Sequence, residues 1–210
     1  MHAAVELPGD YDLTAVPRIV RGAVILGAIE SIIVVLMSVI TRLTGGVIEA
    51  VIGGLVLLAG LTAVATLPGL WTRPRTIEGI AGAAGIGLAA AGVFLLFDVA
   101  MLQPLGVYTN RWLEIGGGSN WWYHPVWWMV GTFIPWMGAL LLAAQAARGQ
   151  RQSVPGVMAA ALAATVLLAV LAVLLRFPGA HWSLGTFGVA FLPGVALAAA
   201  VASFRASRVR

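Results

Sequence analysis

Five ionisable side chains, Glu30, Glu49, Asp98, His124 and His181, fall inside or at the edges of long apolar runs. A carboxylate in an apolar span is costly, and such residues mark ion, proton or ligand pathways. Histidine and carboxylate together are also the ligand types that suit zinc, copper or iron. Asp98 and Glu49 read as lying near the same membrane surface as the two histidines, so the four are candidates to converge. The spacing argues against a prepared metal pair, because no H-x-x-x-H or E-x-x-H pair is present. An interfacial imidazole bonded to water or backbone is the plainer reading of His124 and His181. With only these two histidines near the membrane, the cofactor ceiling is one non-covalent haem, quinone or metal, and none is favoured.

The other concentration of chemistry is aromatic. Residues 114–129 read EIGGGSNWWYHPVWWM, with four tryptophans, Tyr123 and His124 following three glycines. Gly116, Gly117 and Gly118 let the chain turn sharply after a short amphipathic piece around Arg111, Trp112 and Glu114. Trp121, Trp122, Trp127 and Trp128 then suit the headgroup zone, where an indole keeps its apolar body in lipid and its N–H in water. Trp128, Thr132 and Trp136 continue the stripe inward at helical spacing. One expectation is an enlarged aromatic anchor. The sharper one is a partner- or ligand-binding surface made by Trp121, Trp122, Tyr123, His124 and Trp128, joined by His181 and Trp182.

Both groups depend on what the surrounding chain is. Of 210 residues, 60% are hydrophobic and 10% charged, with a mean hydropathy of +0.98. Soluble domains carry about a quarter charged residues, so lipid is the solvent for most of this surface. Cysteine is absent, which excludes disulfides, thiolate zinc sites, iron–sulfur clusters and C-x-x-C-H haem. All basic residues are arginine, and they cluster at the ends of apolar runs. That is a membrane pattern rather than a nucleic-acid surface.

Six runs are long enough to cross ~30 Å of hydrocarbon: roughly 22–41, 47–70, 80–102, 126–146, 156–175 and 184–204. The fold class expected is therefore an all-α integral membrane protein of six transmembrane helices. Residues 1–21 read as a retained cytoplasmic tail rather than a signal peptide, because Glu6, Asp10 and Asp12 precede any arginine. Residues 22–204 form one membrane domain, and 205–210 a basic tail suited to anionic headgroups.

With the N-terminus inside, cytoplasmic segments hold Arg18, Arg21, Arg73, Arg75, Arg148, Arg151, Arg205, Arg208 and Arg210. The outer ones hold Arg42, Arg111 and Arg176. That asymmetry predicts both termini inside a bacterial inner membrane and one longer outer loop at roughly 103–124.

The polar residues then acquire faces. Glu30 shares one with Ala23, Gly27, Val34 and Ser38, a strip suited to close helix packing. With no arginine at its depth, it is expected to be neutral and to bond across helices. Gly87 and Ala91 share the face of Asp98, and Gly53 and Gly60 that of Glu49. Spans four and six both carry a histidine, a tryptophan, Gly-Thr-Phe and a mid-span proline. This predicts kinks at Pro135 and Pro193, with Thr132 and Thr186 satisfying freed backbone groups.

The span count and outer aromatic lining are loosely similar, in layout alone, to the substrate-binding subunits of vitamin uptake transporters, and no residue is carried across. Ser119 lies in a loop, so no rhomboid-type dyad is supported, and no phosphate-binding glycine loop is present. The expectation is a non-enzymatic subunit of a larger membrane complex, held by lipid and by other membrane subunits, with no nucleic-acid role. The alternatives are a small-molecule transporter or its substrate-binding component, with a site at the outer mouth, and a quinone- or proton-handling subunit.

Overall fold

The computed structural model describes residues 15–108 and 123–207, and no strand occurs among them. Six helices are long and apolar enough to span a bilayer. They are α1 (Val16–Leu43), α2 (Gly46–Thr72), α3 (Ile77–Phe97), α4 (Tyr123–Ala147), α5 (Val154–Leu174) and α6 (Leu184–Ser207). A π-helical turn, Asp98–Leu102, prolongs α3.

Local chemistry accounts for the boundaries. α1 begins at Val16 rather than near residue 22, with Pro17 in its first turn, where a missing N–H costs nothing. Thr76 caps α3 by accepting from Gly79 N–H, and Ser153 caps α5 by accepting from Gly156 N–H at 3.1 Å. The α4–α5 turn uses Gly149 at a φ of 69°, a conformation glycine adopts without Cβ strain. Buried Gln145 fastens that turn, since its Oε1 accepts from Ser153 N–H at 2.8 Å.

α3 lies between α1 and α4, α6 packs on α4 and α5, and α2 lies across α1, α3 and α4. α5 is held mainly by α6. The start of α1, the α2–α3 and α4–α5 turns and the end of α6 meet at one end of the bundle, here called the arginine-rich end. The opposite end, where residues 103–108 follow α3, is called the loop end.

The largest apolar cluster joins α4, α5 and α6 to Ala65 of α2, around Leu142, Val157, Phe191 and Val195. Two smaller clusters lie along α1 and α3: one holds Leu26, Ile86 and Ala90, the other Val34, Phe94 and Leu95. Outward side chains such as Ile32, Leu36, Val51 and Leu55 are exposed and apolar, as lipid contact requires.

The glycine faces are used inside the bundle. A Cβ at Gly138 would overlap the Ala65 carbonyl oxygen, and one at Gly87 would overlap the Gly131 carbonyl oxygen and the Pro135 ring. Helices thus meet backbone to backbone at the α2–α4 and α3–α4 seams, which gives the dispersion contact that lipid cannot supply.

Pro135 lies inside α4, and a proline removes the donor that would bond the carbonyl four residues earlier, here Gly131. Thr132 does not rescue that carbonyl. Its hydroxyl donates to Trp128 O at 2.9 Å. The Gly131 oxygen instead faces Gly87, where Cα–H···O contact is the available compensation. Thr186 likewise serves the start of α6, accepting from His181 N–H at 3.0 Å, rather than the carbonyl freed by Pro193. The shared Gly-Thr-Phe motif therefore does different work in the two helices.

Candidate functional site

Asp98 is the most enclosed acid, with 0% of its surface exposed. The π-turn explains its partners. Gln103 N–H bonds to Asp98 O at 2.9 Å across five residues, so positions 98 and 103 share a face that α-helical spacing would separate. The Gln103 side chain then donates from Nε2 to Asp98 Oδ2 at 2.6 Å. Tyr108 donates its hydroxyl to Asp98 Oδ1.

The same segment is tied to α1. Ser38 donates its hydroxyl to Val107 O, Arg42 Nη2 donates to Gly106 O, and Arg42 Nε reaches Ser38 Oγ at 3.3 Å. Asp98, Gln103, Tyr108, Ser38 and Arg42 thus form one polar clasp at the loop end. Beneath it lie Val34, Phe94, Leu95 and Leu102, which keep it dry on the membrane side. With both carboxyl oxygens already accepting hydrogen bonds, Asp98 is built as an acceptor that holds the Gln103 and Tyr108 side chains. Sequence reasoning missed Gln103, Tyr108, Ser38 and Arg42, because the five-residue offset within a π-turn has no periodic signature.

Glu30 occupies a different depth. It is buried on α1 between positions of the two α1–α3 clusters, Leu26 below and Val34 above. Its Oε2 is enclosed and makes no hydrogen bond. The expectation that Glu30 bonds across helices finds no support among the described residues. Gly27, one turn away, comes so close to α3 that a Cβ would lie 2.8 Å from Val93. The small-residue strip does pack tightly, and the carboxyl is carried within it.

Three of the four residues expected to converge, Glu49, Asp98 and His181, lie among the described residues and form no metal-holding group there. Glu49 is half-buried near the start of α2, His181 is exposed, and no group of three acidic or histidine side chains among the described residues can hold a metal. The His124 side chain lies outside the described residues, as does that of Tyr123. Trp121 and Trp122 fall wholly outside them, as does the 109–122 stretch with its glycines.

Trp128 and Trp182 can be placed. Trp128 is 43% exposed, with its ring against Gly92 of α3. Trp182 is 66% exposed. Trp136 is also part-exposed and meets Phe133 edge to face, with centroids 6.2 Å apart.

No protein-family model matches the chain, and no curated protein or solved structure matches it either.

Proposed function

We propose that the protein is a non-enzymatic, multi-pass subunit of a larger assembly in a bacterial inner membrane. Both termini are placed in the cytoplasm, on the arginine distribution. Its partner would be another transmembrane helix seated along α2, with the tryptophan-rich loop end as a second contact.

One observation carries this reading. α2 is the least covered span, with 17% of its most apolar window buried against 56% for α4. It borders an open apolar groove of about 540 Å³ towards the start of α5. The groove runs past Ala59, Thr62, Ala63 and Thr66. Both threonine hydroxyls are occupied by their own helix, at 2.7 Å to Leu58 O and Thr62 O, so the surface offered is small and apolar. Such surfaces admit a second helix at short distance.

The test is to purify the assembly in mild detergent and compare wild type with Ala59→Leu and Ala63→Leu. Filling the groove should remove co-purifying membrane subunits while leaving thermal unfolding of the chain unchanged. If both variants retained every subunit in native proportion, the groove would not be the docking surface.

A second reading is favoured by the enclosed Glu30 oxygen that makes no hydrogen bond. An intramembrane acid of this kind suits a proton- or quinone-handling role. Glu30→Gln keeps the shape and removes the titration. Loss of a proton-linked activity of the assembly in a folded Glu30→Gln protein would move the function to this residue.

A further inference from the structure

The arginine-rich end holds a cavity of about 1580 Å³ that the sequence does not announce. Four arginines from three separate segments line it: Arg18 of α1, Arg73 and Arg75 of the α2–α3 turn, and Arg151 of the α4–α5 turn. Among the described residues no carboxylate lines it, and Glu78, in the first turn of α3, is exposed and not part of the lining. Away from the turns the walls become apolar, with Leu140 about two turns inside α4 and Trp71 at the end of α2. The cavity is thus cationic at its mouth and apolar on its floor.

Arg73 adds to the case. It caps α2 at a φ of 46°, the left-handed region that disfavours a side chain and where glycine is the usual occupant. Pro74, which is buried, and a bond from Arg75 N–H to Arg73 O at 2.7 Å fix the turn. The two guanidinium groups are therefore carried by a rigid backbone.

We propose that this vestibule binds a phosphate ester, supplied by the headgroup of an anionic phospholipid whose first chain segments rest on the apolar floor. The charge selects the ligand class, since a planar guanidinium presents paired N–H donors that match phosphate oxygens. The apolar floor and the volume select a lipid over a small free ester. A soluble sugar or glycerol phosphate would leave Trp71 and Leu140 without an apolar partner. This inference does not depend on the α2 groove.

The experiment uses the full chain in detergent, titrated with phosphatidylglycerol or phosphatidylcholine and read by native mass spectrometry. Phosphatidylglycerol should bind at least 10-fold more tightly than phosphatidylcholine. Arg73→Gln, Arg75→Gln and Arg151→Gln should each weaken phosphatidylglycerol about five-fold, leaving phosphatidylcholine unchanged. Arg176→Gln, at the loop end, is the control and should have no effect. Leu140→Trp fills the floor without altering charge, and it should also weaken phosphatidylglycerol. Thermal unfolding of each variant verifies folding.

Equal binding of the two lipids would overturn the proposal, as would an Arg176→Gln effect matching that of Arg73→Gln. Glycerol 1-phosphate forms the second arm. If it bound with the same arginine dependence while Leu140→Trp changed nothing, the anion site would stand with a soluble source, and the lipid assignment would fall.

Discussion

Removing one hydroxyl tests the loop-end clasp directly. Tyr108→Phe keeps the ring against the Val34–Phe94 cluster and deletes the donor to Asp98 Oδ1. Asp98 has no exposed surface, so water cannot replace that donor without the end of the bundle opening. A net intramolecular hydrogen bond contributes about 0.5–1.5 kcal/mol in soluble proteins. Side-chain bonds within membrane bundles average about 0.6 kcal/mol and reach about 1.7. The enclosure of Asp98 and its second bond from Gln103 place this pair at the upper end of the membrane range, near 1.5 kcal/mol.

A double-mutant cycle isolates that value. Tyr108→Phe and Asp98→Leu each strand a partner, whereas the double variant leaves two apolar groups facing each other. The double variant should therefore be more stable than the sum of the single losses predicts, by about 1–1.7 kcal/mol. The assay is reversible unfolding in mixed micelles, titrated with a denaturing detergent and followed by tryptophan fluorescence. Additive losses, within the ~0.5 kcal/mol expected of independent sites, would refute the clasp.

Further outcomes follow from other parts of the bundle. Single cysteines at Leu105 and Gln150 in this thiol-free chain should label from opposite sides, with an impermeant reagent on intact cells reaching position 105 alone; the reverse pattern would invert the orientation. Gly138→Leu should cost about 1–3 kcal/mol, because its side chain must displace the Ala65 carbonyl, and unchanged unfolding would disprove the backbone contact. Glu30→Met, replacing an enclosed carboxyl whose Oε2 makes no hydrogen bond, should leave stability equal or raise it by about 1 kcal/mol; a loss above 2 kcal/mol would reveal a bond across helices.

The number of the helices was legible because the signals are additive along the chain. Fifteen or more apolar residues outweigh any one polar residue, and Ser153 marks a start by local chemistry that needs no tertiary information; α1, however, begins at Val16, inside the stretch read as a tail. The burial of Glu30 and Asp98 was legible too, from the small residues sharing their faces. Partnership was not. Whether Glu30 bonds across helices depends on which side chain stands opposite, and at Gly27, one turn away, the facing positions on α3 turn out to be Ala90 and Val93. Asp98 escaped for a different reason. Its partners depend on one extra residue in a helical turn, and single-residue changes of register leave composition and hydropathy untouched. The vestibule was invisible because Arg18, Arg73 and Arg151 are far apart in sequence, and charge counting assigns each only to an end of the bundle.

The distribution of close contacts also separates a rigid part of the bundle from a looser one. α2, α3 and α4 meet backbone to backbone at Ala65–Gly138 and Gly87–Gly131, and α1 is closed on α3 through Gly27 and through the Ser38 and Arg42 bonds. α5 has one comparable contact, at Gly194 of α6, where a Cβ would strike Thr165. Its remaining ties are mainly apolar packing on α6, with smaller contacts to α2 and α4 and the Gln145 bridge at its N-cap, Ser153. A helix fastened along one side and at one end moves least at that end, and the α2 groove opens beside it, at Val154. A partner helix entering at α2 would therefore meet a groove whose α5 wall is held in place, while the Asp98 end keeps its geometry.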